Sequence, residues 1–256
     1  MRTWLFISVV LLLAACAPAQ NIEAPDTTTP TGTATLTPTI VWFPPTHTST
    51  PFPTLELTPT PDLRPNLGDT ILEEDFEDGG QWSLVESESA TSAITNNHLT
   101  LTLRQDKSYL LTNRSTPFLG NFYTEVTASP QLCRGADEYG MLVRVMAANS
   151  YYRFSLSCDG RAKVERLVNG VASSMAPWTF HGIIPQTAPS SVRLGVWASG
   201  QELRFFVGEH FLFTVQDTVF FQGGLGLFVR TAESEAITVT FSDLLVREID
   251  RAASNQ

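Results

Sequence analysis

The run His98-Leu99-Thr100-Leu101-Thr102-Leu103 alternates polar and apolar residues without a break. A period of two places Leu99, Leu101 and Leu103 on one face of an extended strand and the threonines on the other. Comparable runs recur about every ten residues through the C-terminal part of the chain. They are separated by the turn pairs Asn96-Asn97, Asp159-Gly160, Asn169-Gly170 and Ser199-Gly200. No segment sustains a helical period with caps at its ends. Many short strands punctuated by turns predict an all-β domain, a two-sheet antiparallel jelly-roll sandwich.

Strand register follows from keeping apolar residues on one face. A three-residue loop at Cys158-Asp159-Gly160, with Gly160 left-handed, sets Leu156 against Ala162 and Phe154 against Val164. The other face then pairs Arg153 with Glu165 and Ser155 with Lys163. The connection at 147–150 sets Met141, Val143 and Val145 beside Leu156, Phe154 and Tyr152, while Leu142, Arg144 and Met146 point the other way. A turn at Ser199-Gly200 sets Val196 against Leu203, Leu194 against Phe205 and Val192 against Val207. Continuing through residues 208–210 brings Phe211, Phe213 and Val215 to the core side.

The domain is expected over residues 67–250, followed by a tail at 251–256. Before it, residues 16–66 are a disordered linker in which about half the residues are Thr or Pro. Such composition buries too little apolar surface to offset the entropy of ordering. Proline favours extended conformations, so the tract is a semi-stiff spacer reaching on the order of 150 Å. Residues 1–15 read as a signal peptide, with an apolar run too short to span a bilayer, which takes about 20 residues. Leu13-Ala14-Ala15-Cys16 resembles a bacterial lipobox, making Cys16 the expected lipidation site. The competing reading is an ordinary signal peptide with Cys16 incidental. Lipidation implies an extracytoplasmic protein of the bacterial cell envelope, held to a membrane through its lipid anchor.

The chain has three cysteines, an odd number for an exported protein. With Cys16 lipidated, Cys133 and Cys158 are left either as a disulfide or as two buried thiols. The formal net charge of −10, with no run of Lys or Arg, excludes nucleic acid as a partner, since phosphate binding needs a basic stripe.

The segments "YYRFSLSCDG", "VRLGVWASGQELRFFVGEHFLFTVQD", "GGLGLFVR" and "VTFSDLLV" together resemble the concanavalin A-like lectin and glucanase jelly roll. The laminin-G-like or 3-keto-disaccharide hydrolase type of bacterial exported proteins is the nearest variant. The resemblance runs over residues 71–246 and rests on hairpin glycines and core aromatics. Gly208-Glu209 departs from the usual Asn-Gly turn. The resemblance implies two antiparallel sheets, one curved, whose concave face binds sugar in many relatives.

Chemistry is less legible. The E-x-D-x-x-E pattern of retaining glucanases is missing, as is a G-x-S-x-G elbow. The histidines lack metal-ligand spacing. Glu73 to Asp78 reads as a solvated edge. No catalytic constellation is recognised, and the non-catalytic reading is preferred. Sugar rings stack on Trp or Tyr while planar polar groups bond their hydroxyls. The candidate ligand-binding residues are therefore Arg144, Tyr151 and Arg153, Trp178 on a loop, and Arg193, Trp197, Glu202 and Arg204. No cofactor is implied beyond a structural calcium, for which Asp75, Asp78 and Asp243 would meet if the first and last strands adjoin. The expected function is binding of carbohydrate or another cell-envelope ligand. The alternatives are a glycoside-processing hydrolase and a protein-docking or structural module.

Overall fold

The turn pairs reverse the chain with the backbone signs that β-hairpins require. Asn96 and Asn97 both take positive φ (50° and 62°), as do Asn169 and Gly170 (50° and 82°), which is the type I′ pattern. The computed structural model describes residues 61–77, 79–232 and 234–250. The signal segment, Cys16, the linker as far as residue 60, Asp78 and the tail lie outside the described residues.

Fourteen strands form among the described residues. Sheet A contains β1 (Leu67–Glu74), β2 (Ala90–Thr95), β3 (His98–Leu103), β5 (Phe122–Leu132), β10 (Val192–Ser199), β11 (Glu202–Val207), β12 (His210–Gln216) and β14 (Ile237–Ile249). Sheet B contains β4 (Tyr109–Leu119), β6 (Glu138–Ala147), β7 (Ser150–Ser157), β8 (Arg161–Val168), β9 (Val171–Phe180) and β13 (Gly223–Arg230). The spatial orders are β12-β11-β10-β5-β14-β3-β2, with β1 also on β14, and β4-β13-β6-β7-β8-β9. The pairings are antiparallel, and the all-β sandwich expected from the alternation is the fold observed.

One continuous core lies between the sheets. Leu99, Leu101 and Leu103 enter it from β3, and Phe241 and Val239 from β14. Tyr152, Phe154 and Leu156 enter it from β7. On the far side of β3, Thr100 and Thr102 meet Thr240 and Thr238 of β14, with hydroxyls 3.1 and 3.4 Å apart. This is the cross-strand ladder that strict alternation implies.

The register of β7 on β8 is the expected one: Leu156 opposes Ala162, Phe154 opposes Val164, Arg153 opposes Glu165 and Ser155 opposes Lys163. Gly160 closes the three-residue loop with φ 87°. Two other registers differ by two residues. In β10–β11 the turn is Gly200-Gln201, so Val196 meets Phe205 and Leu194 meets Val207. A type II′ turn puts glycine first, and Gly200 with φ 54° takes that place. In β6–β7 the pairing starts as expected, with Ala147 on Ser150, but a bulge then sets Val143 on Tyr152 and Met141 on Phe154. The bulge centres on Arg144, whose φ is 52°. It carries Val145 onto the outer face of sheet B with Leu142 and Tyr151. Gly223 makes room for it, because a β-carbon there would lie 2.4 Å from the Arg144 carbonyl carbon. A further bulge at Phe205/Phe206 turns Phe211 outward against Phe206, whereas Phe213 and Val215 stay on the core side.

Cys133, just after β5 of sheet A, forms a disulfide with Cys158 in the loop after β7 of sheet B, with Cα atoms 5.6 Å apart. Glu74, read from sequence as part of a solvated edge, is instead buried at the end of β1. It accepts hydrogen bonds from the Phe76 backbone (3.0 Å), Trp82 Nε1 (3.2 Å) and the Arg114 guanidinium.

Candidate functional site

The sequence-predicted binding residues divide among three places. Arg144 reaches no outer face. Its guanidinium is fully buried, donating to the carbonyls of Phe220 (2.8 Å) and Gly120 (3.3 Å), and it ties two loops at one end of the sandwich. The bulge that inverts the local pleat is the reason, and it removes Arg144 from the ligand-facing set.

Trp197, Arg204, Glu202 and Arg193 lie on the outer face of sheet A, as the alternation required. Arg204 stacks over the Trp197 ring at 4.6 Å and donates to Glu202 at 2.8 Å. This face is covered by residues of the same chain. Trp197 Nε1 donates to the carbonyl of Pro65 (3.1 Å), and Arg204 donates to that of Leu63 (2.9 Å). Trp197 is left 5% exposed, too little to serve as a stacking platform. Arg193 is more open and pairs with Glu125 at 3.2 Å.

Tyr151, Arg153 and Trp178 share the outer face of sheet B. Trp178 sits on β9, an edge strand, rather than on a loop; its Pro177 is tolerated where an edge needs no ladder donor. Beside these lie groups that were not singled out from the sequence. Arg153 pairs with Glu165 (2.5 Å), and Lys163 pairs with both Glu165 (2.9 Å) and Glu138 (3.2 Å). Arg230 closes the net on Glu138 at 2.6 Å. Arg153 lies over the rings of Tyr109 and Phe228, while Lys163 and Arg161 lie over Trp178 at 4.6 and 5.2 Å. The Tyr109 and Tyr151 hydroxyls are 3.3 Å apart. Ser155 is fully buried in the middle of this net, and its Oγ has no hydrogen-bond partner among the described residues.

The expected register already opposed Lys163 to Ser155 and Glu165 to Arg153, so those two groups were legible as neighbours. Glu138 was not, because its position depends on the Arg144 bulge. Most of this net is buried, Arg153, Lys163, Glu138 and Tyr151 among it, and the groups it leaves open on the face are Arg230, Arg161 and the half-buried Trp178.

Two groups of the net have shifted titrations, Glu165 and Tyr109. Burial alone would raise the Glu165 carboxyl, but bonds and charge from Arg153 and Lys163 hold it below the usual carboxylate range. Burial and the neighbouring Tyr151 push the Tyr109 phenol well up, so it stays a neutral donor. A carboxyl whose folded pKa is depressed stabilises the fold fully above its unfolded pKa, and that share is lost as pH falls through the folded value. The expected result is that the melting temperature of the parent chain drops across the acid range below the usual carboxylate value. The Glu165→Gln variant, less stable near neutrality, should drop less over that interval. Melting curves on both proteins check this.

Asp75 and Asp243 line one shallow cleft of about 190 Å³, together with Glu73, Glu125 and Arg193. The strand pairing β1–β14 that the calcium expectation needed is present, and Asp243 marks a bulge in β14 with φ 52°. Asp78 lies outside the described residues. Among the described residues no group of three or more His, Cys, Asp or Glu side chains is disposed to hold a metal ion.

No family model matches the sequence, and no curated protein matches it. Solved structures do match the fold. The carbohydrate binding module CBM66 from Bacillus subtilis is 19% identical, with a TM-score of 0.54, over 66% of this chain and 96% of that one. A protein of unknown function with a galectin-like fold from Bacillus subtilis is 10% identical, with a TM-score of 0.55, over 72% and 99%. The Bacillus licheniformis β-glucanase is 12% identical, with a TM-score of 0.53, over 72% and 99%. The domain is a concanavalin A/galectin-like β-sandwich, a fold found in carbohydrate-binding modules and in glycoside hydrolases alike.

Proposed function

We propose that this chain is a lipid-anchored, surface-displayed protein of a bacterial envelope whose β-sandwich binds carbohydrate on the outer face of sheet B, without catalysis. The observation that carries this reading is that Trp178, Arg161 and Arg230 stand open on this face, fixed from below by the buried ion pairs of Arg153, Lys163, Glu138 and Glu165. Planar polar groups fixed in position, flanked by aromatic rings, suit sugar hydroxyls and the apolar faces of sugar rings. The fold shared with a carbohydrate-binding module adds support without deciding the ligand. Cys16 supplies the anchor and the Thr/Pro-rich tract the reach.

A hydrolase is the second reading, because Glu138 and Glu165 both reach the same ammonium of Lys163. Glycoside hydrolysis needs one carboxyl kept protonated as the acid, so its pKa must be raised. Glu165 is shifted the opposite way, which favours binding.

A glycan array probed with the full chain tests the proposal. Saturable binding to a polysaccharide is expected, weakened by roughly 10- to 100-fold in the Arg230→Met variant, the range for lost bonds to a charged group. Binding indifferent to Arg230→Met and to Trp178→Phe would remove the site from sheet B. Release of reducing ends that Glu138→Gln abolishes would favour the hydrolase. For the anchor, Cys16→Ala is expected to move the chain from the membrane to the soluble fraction.

A further inference from the structure

The outer face of sheet A reads its covering segment as a receptor reads a peptide. Two side-chain donors, Trp197 Nε1 and an Arg204 nitrogen, take main-chain carbonyls two residues apart, those of Pro65 and Leu63. Between them, Arg64 bonds the Tyr123 hydroxyl at 3.4 Å, lies over the Phe206 ring at 5.3 Å and pairs with Glu209. Leu63 packs on the apolar patch of Tyr123, Trp197, Phe206 and Ile249. Each residue of the trio Leu63-Arg64-Pro65 therefore has its own partners.

Two further features separate this contact from ordinary packing. No backbone–backbone hydrogen bond ties residues 62–65 to the sheet among the described residues; the first such bond is from Asp250 to the carbonyl of Asn66, at 2.9 Å. The segment also holds its own shape, because the Asp62 carboxylate accepts the Arg64 backbone N–H at 2.8 Å. A preshaped segment held only by side chains can leave without breaking a β-ladder. Recognition of an extended or turned peptide by indole and guanidinium donors over aromatic rings is a recurring binding mode.

We propose that the outer face of sheet A is a peptide-docking site, closed in cis by residues 62–65 and open in trans to a basic segment of the Leu-Arg-Pro type on a partner protein. The charge fits such a partner: Glu209 pairs with Arg64, Glu125 accepts from the same Tyr123 hydroxyl that Arg64 bonds, and the two carbonyl-reading donors require a main chain rather than a particular side chain. Since the Thr/Pro-rich tract enters the domain through residues 62–65, docking of a partner would release the end of the tether from the sheet. This site lies on the opposite sheet from the proposed carbohydrate site, and its failure would leave that reading untouched.

The test uses the full chain and a synthetic peptide of residues 58–67, followed by Trp fluorescence and calorimetry. A segment held in cis competes at an effective concentration of about 1 mM. In the parent chain the peptide should therefore bind no tighter than about that value. In a chain carrying Leu63→Gly, Arg64→Ser and Pro65→Gly it should bind at least roughly tenfold tighter, and adding Arg204→Met should remove the gain. Equal binding to both chains, or none to a folded variant, overturns the proposal. Should the triple variant fail to fold, hydrogen exchange of the Trp197 indole N–H in an Arg64→Gln chain decides instead. Exchange faster than in the parent, and faster than the β10 amides, supports an opening latch. Exchange only with global unfolding overturns it.

Discussion

Replacement of Arg114 by methionine is expected to lower the unfolding free energy by about 3–5 kcal/mol, the cost of leaving a buried charge without its partner. Glu74, 8% exposed, ends β1 of sheet A, while Arg114, 6% exposed, sits in β4 of sheet B. Their ion pair therefore bridges the two layers at the rim of the core. Without the guanidinium, the carboxylate keeps only two neutral donors, the Phe76 backbone N–H and Trp82 Nε1. Arg114 also donates to the Thr116 carbonyl at 2.6 Å and lies over the Trp82 ring at 5.7 Å, so packing is lost together with charge. Adding Glu74→Gln to Arg114→Met should recover part of the loss, since the uncompensated charge is then gone. Urea unfolding of the two variants and the parent measures both effects.

Loss of the Cys133–Cys158 bridge is expected to cost about 3.5 kcal/mol, the chain-entropy value for a loop of this length. The bridge closes a segment of sequence separation 25 that contains all of β6 and β7. Those strands carry Tyr139, Met141, Phe154 and Leu156 into the core, and Arg153 and Glu138 into the sheet B net. A Cys133→Ala/Cys158→Ala chain should show that shift in urea unfolding, and reductant should lower the stability of the parent chain but not of the double variant. Equal stability of parent and variant in the absence of reductant would instead fit two unlinked thiols.

The parts of the fold legible in sequence were those fixed by local rules. Alternation in "HLTLTL" gave the buried face of β3, and the left-handed glycine of Cys158-Asp159-Gly160 gave the β7–β8 register to the residue. In β6–β7 a non-local event decided. The Arg144 bulge depends on Gly223, far along the chain, yielding space on β13. It moved Val145 outward and buried an arginine that simple alternation would display. The shift in β10–β11 came from placing glycine second rather than first in the turn.

The candidate site was legible to a similar degree. Arg153, Tyr151 and Trp178 do share a face, and the register had already set Lys163 and Glu165 beside them. Covering of Trp197 and Arg204 could not be read from composition, because residues 62–65 belong to a stretch that resembles the Thr/Pro-rich tract before it. Their partners lie more than a hundred residues away in sequence.

Trp178 and Trp197 lie on opposite outer faces, so carbohydrate binding on sheet B should involve the first and not the second. Titration of the full chain with the polysaccharide selected on the array, followed by intrinsic fluorescence, is the most direct test. Trp178→Phe should remove most of the fluorescence change and weaken binding by roughly tenfold, the scale of a lost aromatic contact. Trp197→Phe should leave both the affinity and the remaining change in place. The reverse pattern, or no saturable response to any polysaccharide, would contradict the account.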